Sequence, residues 1–150
     1  MTTHNKPDVN AEFFIDHVGV SVSNLGRSIA FYGRNFGFSC ERAIELPDRG
    51  MKVALLRGGG FTIEMFEFTD ALPLPEDRKT PNTDLKTVGV KHFALSVNDI
   101  LAASDFLKRN GVEFISEVTV GVRGLRRFFV KDPDGIGIEV TESIAPPVKN

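Results

Sequence analysis

The chain has 150 residues, 41% hydrophobic and 25% charged, and this composition is that of an ordinary globular protein with enough apolar residues for a core of its own. The net charge of -2 at pH 7, with both signs scattered along the chain, argues against nucleic acid or an anionic membrane surface as a partner. No apolar run approaches the ~20 residues that cross a bilayer, and the N-terminal residues lack the apolar core of a signal peptide. We therefore expect a cytoplasmic protein. A single cysteine, Cys40, excludes an intramolecular disulfide and fits a reducing compartment.

The first half of the chain predicts a strand, a helix and three further strands. Apolar and polar side chains alternate over residues 13–22, which is the period of a strand. The helix that follows has Ser23 or Asn24 as its N-cap and Gly37 as its stop. Three short runs with strand character come next, separated by turn residues: 38–46, 51–57 and 61–68.

The second half of the chain repeats this order after an interruption. Residues 69–89 hold three prolines among charged residues and threonines, and we interpret them as a linker. A strand at 90–97 is followed by a helix that begins at Asn98 or Asp99 and ends before Gly111. The remaining strand-like runs are 112–120, 125–131 and 136–142.

The order of elements predicts an α+β fold made of two tandem βαβββ modules. We expect a single domain over residues 1–150, with module one at 13–68 and module two at 90–142. The stretches outside the modules, 1–12 and 143–150, are interpreted as loose tails. The prediction thus contains eight strands and two helices.

A constant shift of 75 positions relates two polar residue types in the modules. His17, in the first strand of module one, corresponds to His92, and Glu64, in the fourth strand, corresponds to Glu139. Each module therefore carries one His and one Glu, 47 residues apart. Two His and two Glu that converge about a pseudo-twofold axis would form a site for a first-row divalent metal ion.

Strand parity separates these residues from the core. His17 shares a strand face with Gly19 and Ser21, away from the valines that face the helix, and these small neighbours leave room for a ligand. Glu64 lies on the face opposite to its apolar neighbours, and a carboxylate in the middle of an apolar strand is costly unless an ion compensates its charge. The second module repeats both features.

A duplicated scaffold without function is the alternative explanation, because a lone His or strand Glu is more often structural than a ligand. Both polar types nevertheless persist in the two halves while their neighbours differ, as Val18 and Phe93 do. This persistence favours the metal site. Glu67 and Glu142 are also repeated, but they lie nearer the strand ends on the other face, and we interpret them as solvated or salt-bridged.

These features resemble the vicinal oxygen chelate superfamily, which includes glyoxalases, bleomycin resistance proteins and extradiol dioxygenases. The resemblance covers residues 13–142 and rests on the paired modules and on four segments: DHVGVSV at 16–22, RSIAFY at 27–32, KHFALSV at 91–97 and KDPDG at 131–135. It implies that the modules form an open, U-shaped, eight-stranded mixed sheet around a metal and ligand cavity. It also implies that the ligands are those named above: His17, Glu64, His92 and Glu139.

The resemblance further implies an activity through the ligand set. Bacterial glyoxalase I has the same His, Glu, His, Glu set, and epimerases of α-substituted acyl thioesters have Gln at the position of Glu64. The function implied is that of a metal-dependent lyase or isomerase that abstracts a proton α to a carbonyl of a small chelating substrate. By analogy with the family, the base is Glu139, with Glu64 as the symmetric alternative.

Two other functions remain open. An Fe(II) extradiol ring-cleaving dioxygenase is disfavoured, because that class leaves the position of Glu64 without a ligand role and because the chain has no spare structured His for acid-base work. A metal-free small-molecule binding or resistance protein would hold no ion after purification. The metal itself, Ni, Co, Zn, Mn or Fe, and the substrate are not indicated by the sequence.

Partners can be predicted only in outline. We expect a homodimer, because each module exposes an open sheet and apolar faces that a chain of this size does not cover. Whether each site is built within one chain or across two stays open. No counterpart of a glutathione-binding pattern is present, although four arginines could meet an anionic substrate: Arg27, Arg123, Arg126 and Arg127.

Overall fold

The computed structural model describes residues 13–143, which form two modules of the same architecture. Module one contains β1 (His17–Ser21), α1 (Leu25–Phe36), β2 (Ser39–Leu46), β3 (Met51–Gly58) and β4 (Phe61–Phe68). A short helix between the modules is α2 (Pro81–Asp84). Module two contains β5 (Phe93–Val97), α3 (Ile100–Arg109), β6 (Thr119–Val120), β7 (Arg126–Lys131) and β8 (Gly137–Glu142). The predicted α+β fold of two tandem βαβββ modules is confirmed, and the predicted tails lie outside the described residues except for residue 143.

Each module has its own four-stranded mixed sheet. The strand orders are β1-β4-β3-β2 and β5-β8-β7-β6, with the first and fourth strands of each module parallel and the other pairs antiparallel. Within the described chain the eight strands therefore form two hydrogen-bonded sheets of four and not one sheet of eight. Each sheet has two edge strands, β1 and β2 in module one and β5 and β6 in module two, and of these β1 and β5 lie beside the strand that carries the repeated Glu.

The helix boundaries follow the capping signals in the sequence. The Asn24 side chain accepts a hydrogen bond from the backbone N–H of Arg27 at 2.8 Å, and Asp99 accepts from two backbone N–H groups at the start of α3. Gly37 ends α1 at φ 75°, in the left-handed region that favours glycine. Of the alternative caps, Asn24 and Asp99 are thus the ones used.

The predicted strand at 112–120 is wrong over most of its length. Only Thr119–Val120 pairs as a strand, and Phe114 forms an isolated bridge with Val130. Between them the Ser116 hydroxyl accepts the N–H of Phe129 at 3.0 Å, so a side chain takes the place of a backbone acceptor and the regular ladder is interrupted. The first strand is also shorter than predicted and begins at His17.

The segment between the modules is held in place by ion pairs. Asp84, which is 6% exposed, lies 3.1 Å from Nε of Arg78 and 3.0 Å from Nζ of Lys91. Burial by itself raises the pKa of this carboxyl, but the hydrogen bonds from Lys91 and Arg78 outweigh burial and leave the pKa below its usual value. Composition predicted a linker here, and the described segment is a structured connection that contains α2.

The two modules contact each other through their helices. Asn110 at the end of α3 donates a hydrogen bond to Asn35 of α1 at 3.0 Å, and these two residues are separated by the same 75 positions as the repeated His and Glu. The hydrogen bond therefore joins equivalent positions of the two modules. Tyr32 of α1 is fully buried, with its ring centroid 6.4 Å from that of Phe93 in β5. Among residues 13–143 no helix has the length and apolar character needed to cross a bilayer.

Candidate functional site

The repeated His and Glu of module one are in contact. Nε2 of His17 lies 3.3 Å from Oε2 of Glu64, with the two side chains 43% and 31% exposed. The other ring nitrogen, Nδ1, lies 2.7 Å from Oδ2 of Asp16. This hydrogen bond is the main reason why the pKa of His17 is raised, with Glu64 adding to the effect. Asp16 orients the ring so that Nε2 faces Glu64.

Module two repeats this contact in a more buried setting. Nε2 of His92 lies 3.0 Å from Oε2 of Glu139, with the side chains 32% and 17% exposed. The rings of His92 and Phe129 pack in a T-shaped arrangement, with 5.0 Å between centroids. Nη1 of Arg127 lies 3.4 Å from Oε1, the second oxygen of Glu139. His92 and Arg127 thus face different oxygens of one carboxylate.

Parallel pairing of the first and fourth strands creates both contacts. In module one Gly19 lies opposite Glu64, and in module two Ala94 lies opposite Glu139. Each His is two residues before this small residue and therefore on the same face of the sheet. Because neither Gly19 nor Ala94 carries a bulky side chain, the imidazole and the carboxylate can meet above them.

The distance between the donor atoms fits two ligands of one metal ion. Nitrogen and oxygen ligands about 2.0–2.2 Å from an ion, at right or tetrahedral angles to each other, are separated by roughly 3.0–3.4 Å. The His–Glu separations of 3.3 and 3.0 Å fall in this range. Imidazole nitrogen and carboxylate oxygen also suit a first-row divalent ion. Each pair is therefore a suitable half of a metal site.

The four predicted ligands do not converge within one chain. Over residues 13–143 no three side chains among His, Cys, Asp and Glu are grouped so that they could hold a metal ion. The structure joins His17 to Glu64 and His92 to Glu139, and it leaves the two pairs apart. A four-ligand site thus needs a second His–Glu pair that the same chain does not bring near.

A cavity of about 370 Å³ adjoins the His–Glu pair of module two. We call it the linker pocket, because the segment around α2 forms one wall and strands of module two form the other. Its walls include Arg78, Pro81, Leu85, His92, Arg127 and Phe129. Sequence reasoning missed this contribution of the linker, whose prolines and charges resemble those of any flexible connection.

The other polar residues singled out in the sequence have mainly structural partners. Glu67 accepts the N–H of Leu25 at the start of α1, and this hydrogen bond is the main cause of its lowered pKa. Glu142 forms an ion pair with Arg126, and the side chain of Arg27 pairs with Asp134 at 2.8 Å.

Of the four arginines, Arg127 is the one in contact with a predicted metal ligand. Arg123 is exposed and forms no ion pair within residues 13–143. The interpretation of Glu67 and Glu142 as salt-bridged is confirmed. Glu67 forms an ion pair with Lys52 at 3.2 Å, and Glu142 forms one with Arg126.

The family of the chain follows from a match over nearly all of this architecture. The profile of the Glyoxalase/Bleomycin resistance protein/Dioxygenase superfamily matches residues 14–140, a range that contains both His–Glu pairs. The chain belongs to this superfamily. The resemblance inferred from the sequence is thereby confirmed, and the two βαβββ modules are the form that this superfamily takes here.

Individual relatives are similar over most of their own length. The Bacillus subtilis protein YwkD is 30% identical over 129 residues, which is 85% of this chain and 95% of YwkD. Human mitochondrial methylmalonyl-CoA epimerase is 27% identical over 136 residues, 86% of this chain and 73% of the epimerase. Among solved structures, a glyoxalase family protein from Enterococcus faecalis matches with a TM-score of 0.74 and 27% identity, covering 86% of this chain and 97% of that one.

Proposed function

We propose that the protein is a metal-dependent, glyoxalase-like lyase or isomerase that removes a proton α to a carbonyl of a small chelating substrate. The observation that carries this proposal is the repeated His–Glu contact, 3.3 Å in module one and 3.0 Å in module two, with a spacing and donor chemistry suited to one divalent ion. The ligands proposed are His17, Glu64, His92 and Glu139. Membership of a superfamily that contains lyases and epimerases supports this class of reaction.

The complete site is proposed to form between two copies of the chain. Each copy supplies one His–Glu pair from each module, so a twofold dimer that joins module one of one copy to module two of its partner contains two four-ligand sites. The edge strands β1 and β5 support this arrangement, because each has one side without a strand partner in the described chain and lies beside the strand of Glu64 or Glu139. Pairing of these edges across the dimer would also create the eight-stranded sheet that the sequence predicted.

The residues of the chain have distinct roles in the proposed reaction. A divalent ion, when bound, supplies the Lewis acidity that makes a proton beside a carbonyl removable at neutral pH. Glu139 is the proposed base, which takes the proton on a carboxylate oxygen. Arg127 lies beside Oε1 of Glu139 and His92 beside Oε2, so the carboxylate is oriented from both sides. The Phe129 ring packs against the His92 ring and helps to fix its orientation.

The similarity to methylmalonyl-CoA epimerase supports isomerisation as the reaction type, since an epimerase inverts one stereocentre. The substrate in that enzyme's name is an acyl thioester. The chain differs from the epimerase ligand set at one predicted position, where Glu64 replaces Gln. Glu64 also contacts His17 directly, which gives the module-one pair a carboxylate equivalent to that of module two. Its presence favours the glyoxalase-like set.

Metal analysis of the purified protein tests this proposal. We expect about one divalent ion for each chain, and we expect His92→Ala to lose it while circular dichroism shows the same fold, because a ligand on a strand mainly serves the ion. Glu142→Gln is the matched control, since Glu142 lies on the same strand as Glu139 with its side chain on the other face. Unchanged metal content in His92→Ala would contradict the ligand assignment.

The same preparation separates the alternatives. Absence of metal after purification without chelator would favour a binding or resistance protein. Oxygen consumption with a catechol would favour the ring-cleaving dioxygenase. Light scattering tests the dimer, and a monomer at micromolar concentration would contradict a site shared between two copies.

A further inference from the structure

The linker pocket contains one cation whose hydrogen-bonding capacity is largely unused, Arg127. Its Nη1 makes only a long contact of 3.4 Å with Oε1 of Glu139, and its buried Nε has no hydrogen-bond partner within the described residues. The guanidinium lies over the Phe129 ring, 4.9 Å from the centroid. Its side chain lines the pocket and is 32% exposed, so it can contact a ligand there although Nε itself is buried.

The other cations of the pocket already have carboxylate partners within it or beside it. Asp84 binds both Arg78 and Lys91. Lys79 is paired with Glu76. For Arg127 the carboxylate in reach among the described residues is that of Glu139, which belongs to the proposed metal site. An additional anion in the pocket would therefore meet Arg127 without breaking a structural ion pair.

The duplication does not account for an arginine at this position. Arg127 in β7 lies opposite Thr141, two residues beyond the repeated Glu of module two. The matching position of module one, opposite Phe66 in β4, is Val53 in β3. One His–Glu pair is thus flanked by a guanidinium and the other by an apolar side chain. Because module one has the same scaffold with Val53 at this position, the scaffold does not require an arginine. Arg127 therefore indicates a role that is specific to module two.

The neighbouring loop leaves space for this side chain. A Cβ at Gly121 would lie 2.5 Å from Nε and 2.7 Å from Cδ of Arg127. Gly121 is not among the glycines with positive φ, so its backbone conformation does not require glycine. A Cβ at this position would therefore displace the Arg127 side chain from where it lies.

We propose that Arg127 binds an oxyanion of the substrate, a carboxylate or phosphate group, in the linker pocket beside the proposed metal site. A guanidinium offers planar paired donors that match such groups, and the cavity of about 370 Å³ has room for them. The substrate class is then a carbonyl compound that carries a second, anionic group. This inference rests on the proposed function, because it assigns a substrate class to the same site.

Heteronuclear NMR of the metal-free dimer tests the inference without the ion or any turnover. Bound metal is removed with a chelator, which is then removed by gel filtration. Succinate, inorganic phosphate and neutral succinamide are titrated separately while the Nε–H signal of Arg127 is followed. That proton is buried, so it exchanges slowly enough to be observed. We expect a saturable shift with succinate or phosphate, whichever the pocket accepts, and none with succinamide. A shift with neither anion, or an equal shift with succinamide, would overturn the inference.

Three variants show whether the anion binds at Arg127, with succinate or phosphate affinity read from pocket signals such as that of His92. Arg127→Gln should weaken binding about tenfold or more, the loss expected for a hydrogen bond to a charged group. Gly121→Ala keeps the charge but displaces the side chain, and it should weaken binding as well. Arg109→Gln, at the exposed end of α3, is the charge-matched control and should bind as the wild type does.

Equal weakening in Arg127→Gln and Arg109→Gln would reduce the effect to net charge and overturn the inference. Because the protein is metal-free throughout, this failure is separate from that of the proposed function. The proposed function is tested by the metal content of the wild-type protein and of His92→Ala. The Arg127→Gln variant does not enter that test. If the wild-type protein bound neither anion but had the expected metal content, this result would contradict only the substrate class.

Discussion

The Tyr32 hydroxyl donates a hydrogen bond to Oδ2 of Asp132 at 3.2 Å and thereby joins residues 100 positions apart. Tyr32 lies on α1 of module one, and Asp132 begins the turn between β7 and β8 of module two. Both are buried, at 0% and 5% exposure. The other carboxylate oxygen of Asp132 accepts the N–H groups of Asp134 and Ile136, each at 2.9 Å. The buried carboxyl of Asp132 thus stabilises the turn in which it lies and also forms a hydrogen bond to module one.

This contact predicts a measurable loss of stability in Tyr32→Phe. The substitution keeps the buried ring but removes the donor, and a hydrogen bond to a buried acceptor contributes about 1–3 kcal/mol. We expect the urea midpoint to fall by the corresponding amount with an unchanged slope, since the surface exposed on unfolding is nearly the same. An unaltered midpoint would show that the hydroxyl does not stabilise the contact between the modules.

The same residue predicts a dependence on alkaline pH. Burial, with the nearby carboxylates of Asp132 and Asp134, raises the pKa of Tyr32 well above its ordinary value of 10.0. The folded state therefore holds this proton more tightly than the unfolded state. Its contribution to the free energy of unfolding is fully present below about pH 10 and is lost as pH rises toward the folded pKa.

Ultraviolet titration can follow this group alone, because the chain has one Tyr and no Trp. We expect tyrosinate absorbance to appear together with the loss of the circular dichroism signal. Tyr32→Phe should show a shallower decline of stability over the same pH range. Ionisation of Tyr32 at its ordinary pKa in a folded protein would contradict the burial described here.

The ion pairs of Asp84 predict a local effect of Asp84→Asn. The substitution removes the negative charge that holds Arg78 and Lys91, so the segment around α2 should open more often while the sheets stay intact. We expect faster amide hydrogen exchange over residues 76–85 with little change in β7 and β8. The control is Asp77→Asn, an exposed carboxylate of the same segment, which should leave exchange unchanged. Equal protection in the Asp84 variant would show that other contacts hold the linker.

Sequence patterns predicted those features that depend on local chemistry. Asn24, Gly37 and Asp99 act through hydrogen bonds and dihedral angles within a few residues of themselves, so their roles are visible in the chain order. The His–Glu contacts were predictable for another reason, because an internal repeat provides a second copy of the same spacing. Strand parity then placed each pair on one face.

The features that could not be predicted depend on distant or unpatterned contacts. Nothing near Ser116 in the sequence indicates that its hydroxyl accepts the N–H of Phe129 and interrupts the ladder. The ion pair of Asp84 with Lys91 forms only when the linker is folded, and the composition of the linker resembles that of a flexible connection. The separation of the two His–Glu pairs within one chain depends on how the modules dock. A repeat fixes what each module contains and leaves that docking undetermined.

The last prediction concerns the proposed base and compares the same change in two equivalent positions. An amide oxygen still coordinates an ion weakly, but it has no basicity near neutral pH, so Glu→Gln separates the role of ligand from that of base. Glu139→Gln in metal-loaded protein should slow turnover by about 10²–10⁴-fold while substrate still binds. Glu64→Gln should cost less, since among residues 13–143 its carboxylate contacts His17 and lacks an arginine contact such as Glu139 has with Arg127. The measurement is deuterium exchange from solvent at the α-carbon of the substrate, with metal content determined in both variants. Exchange at the wild-type rate in Glu139→Gln would show that another group is the base, with Glu64 as the first candidate.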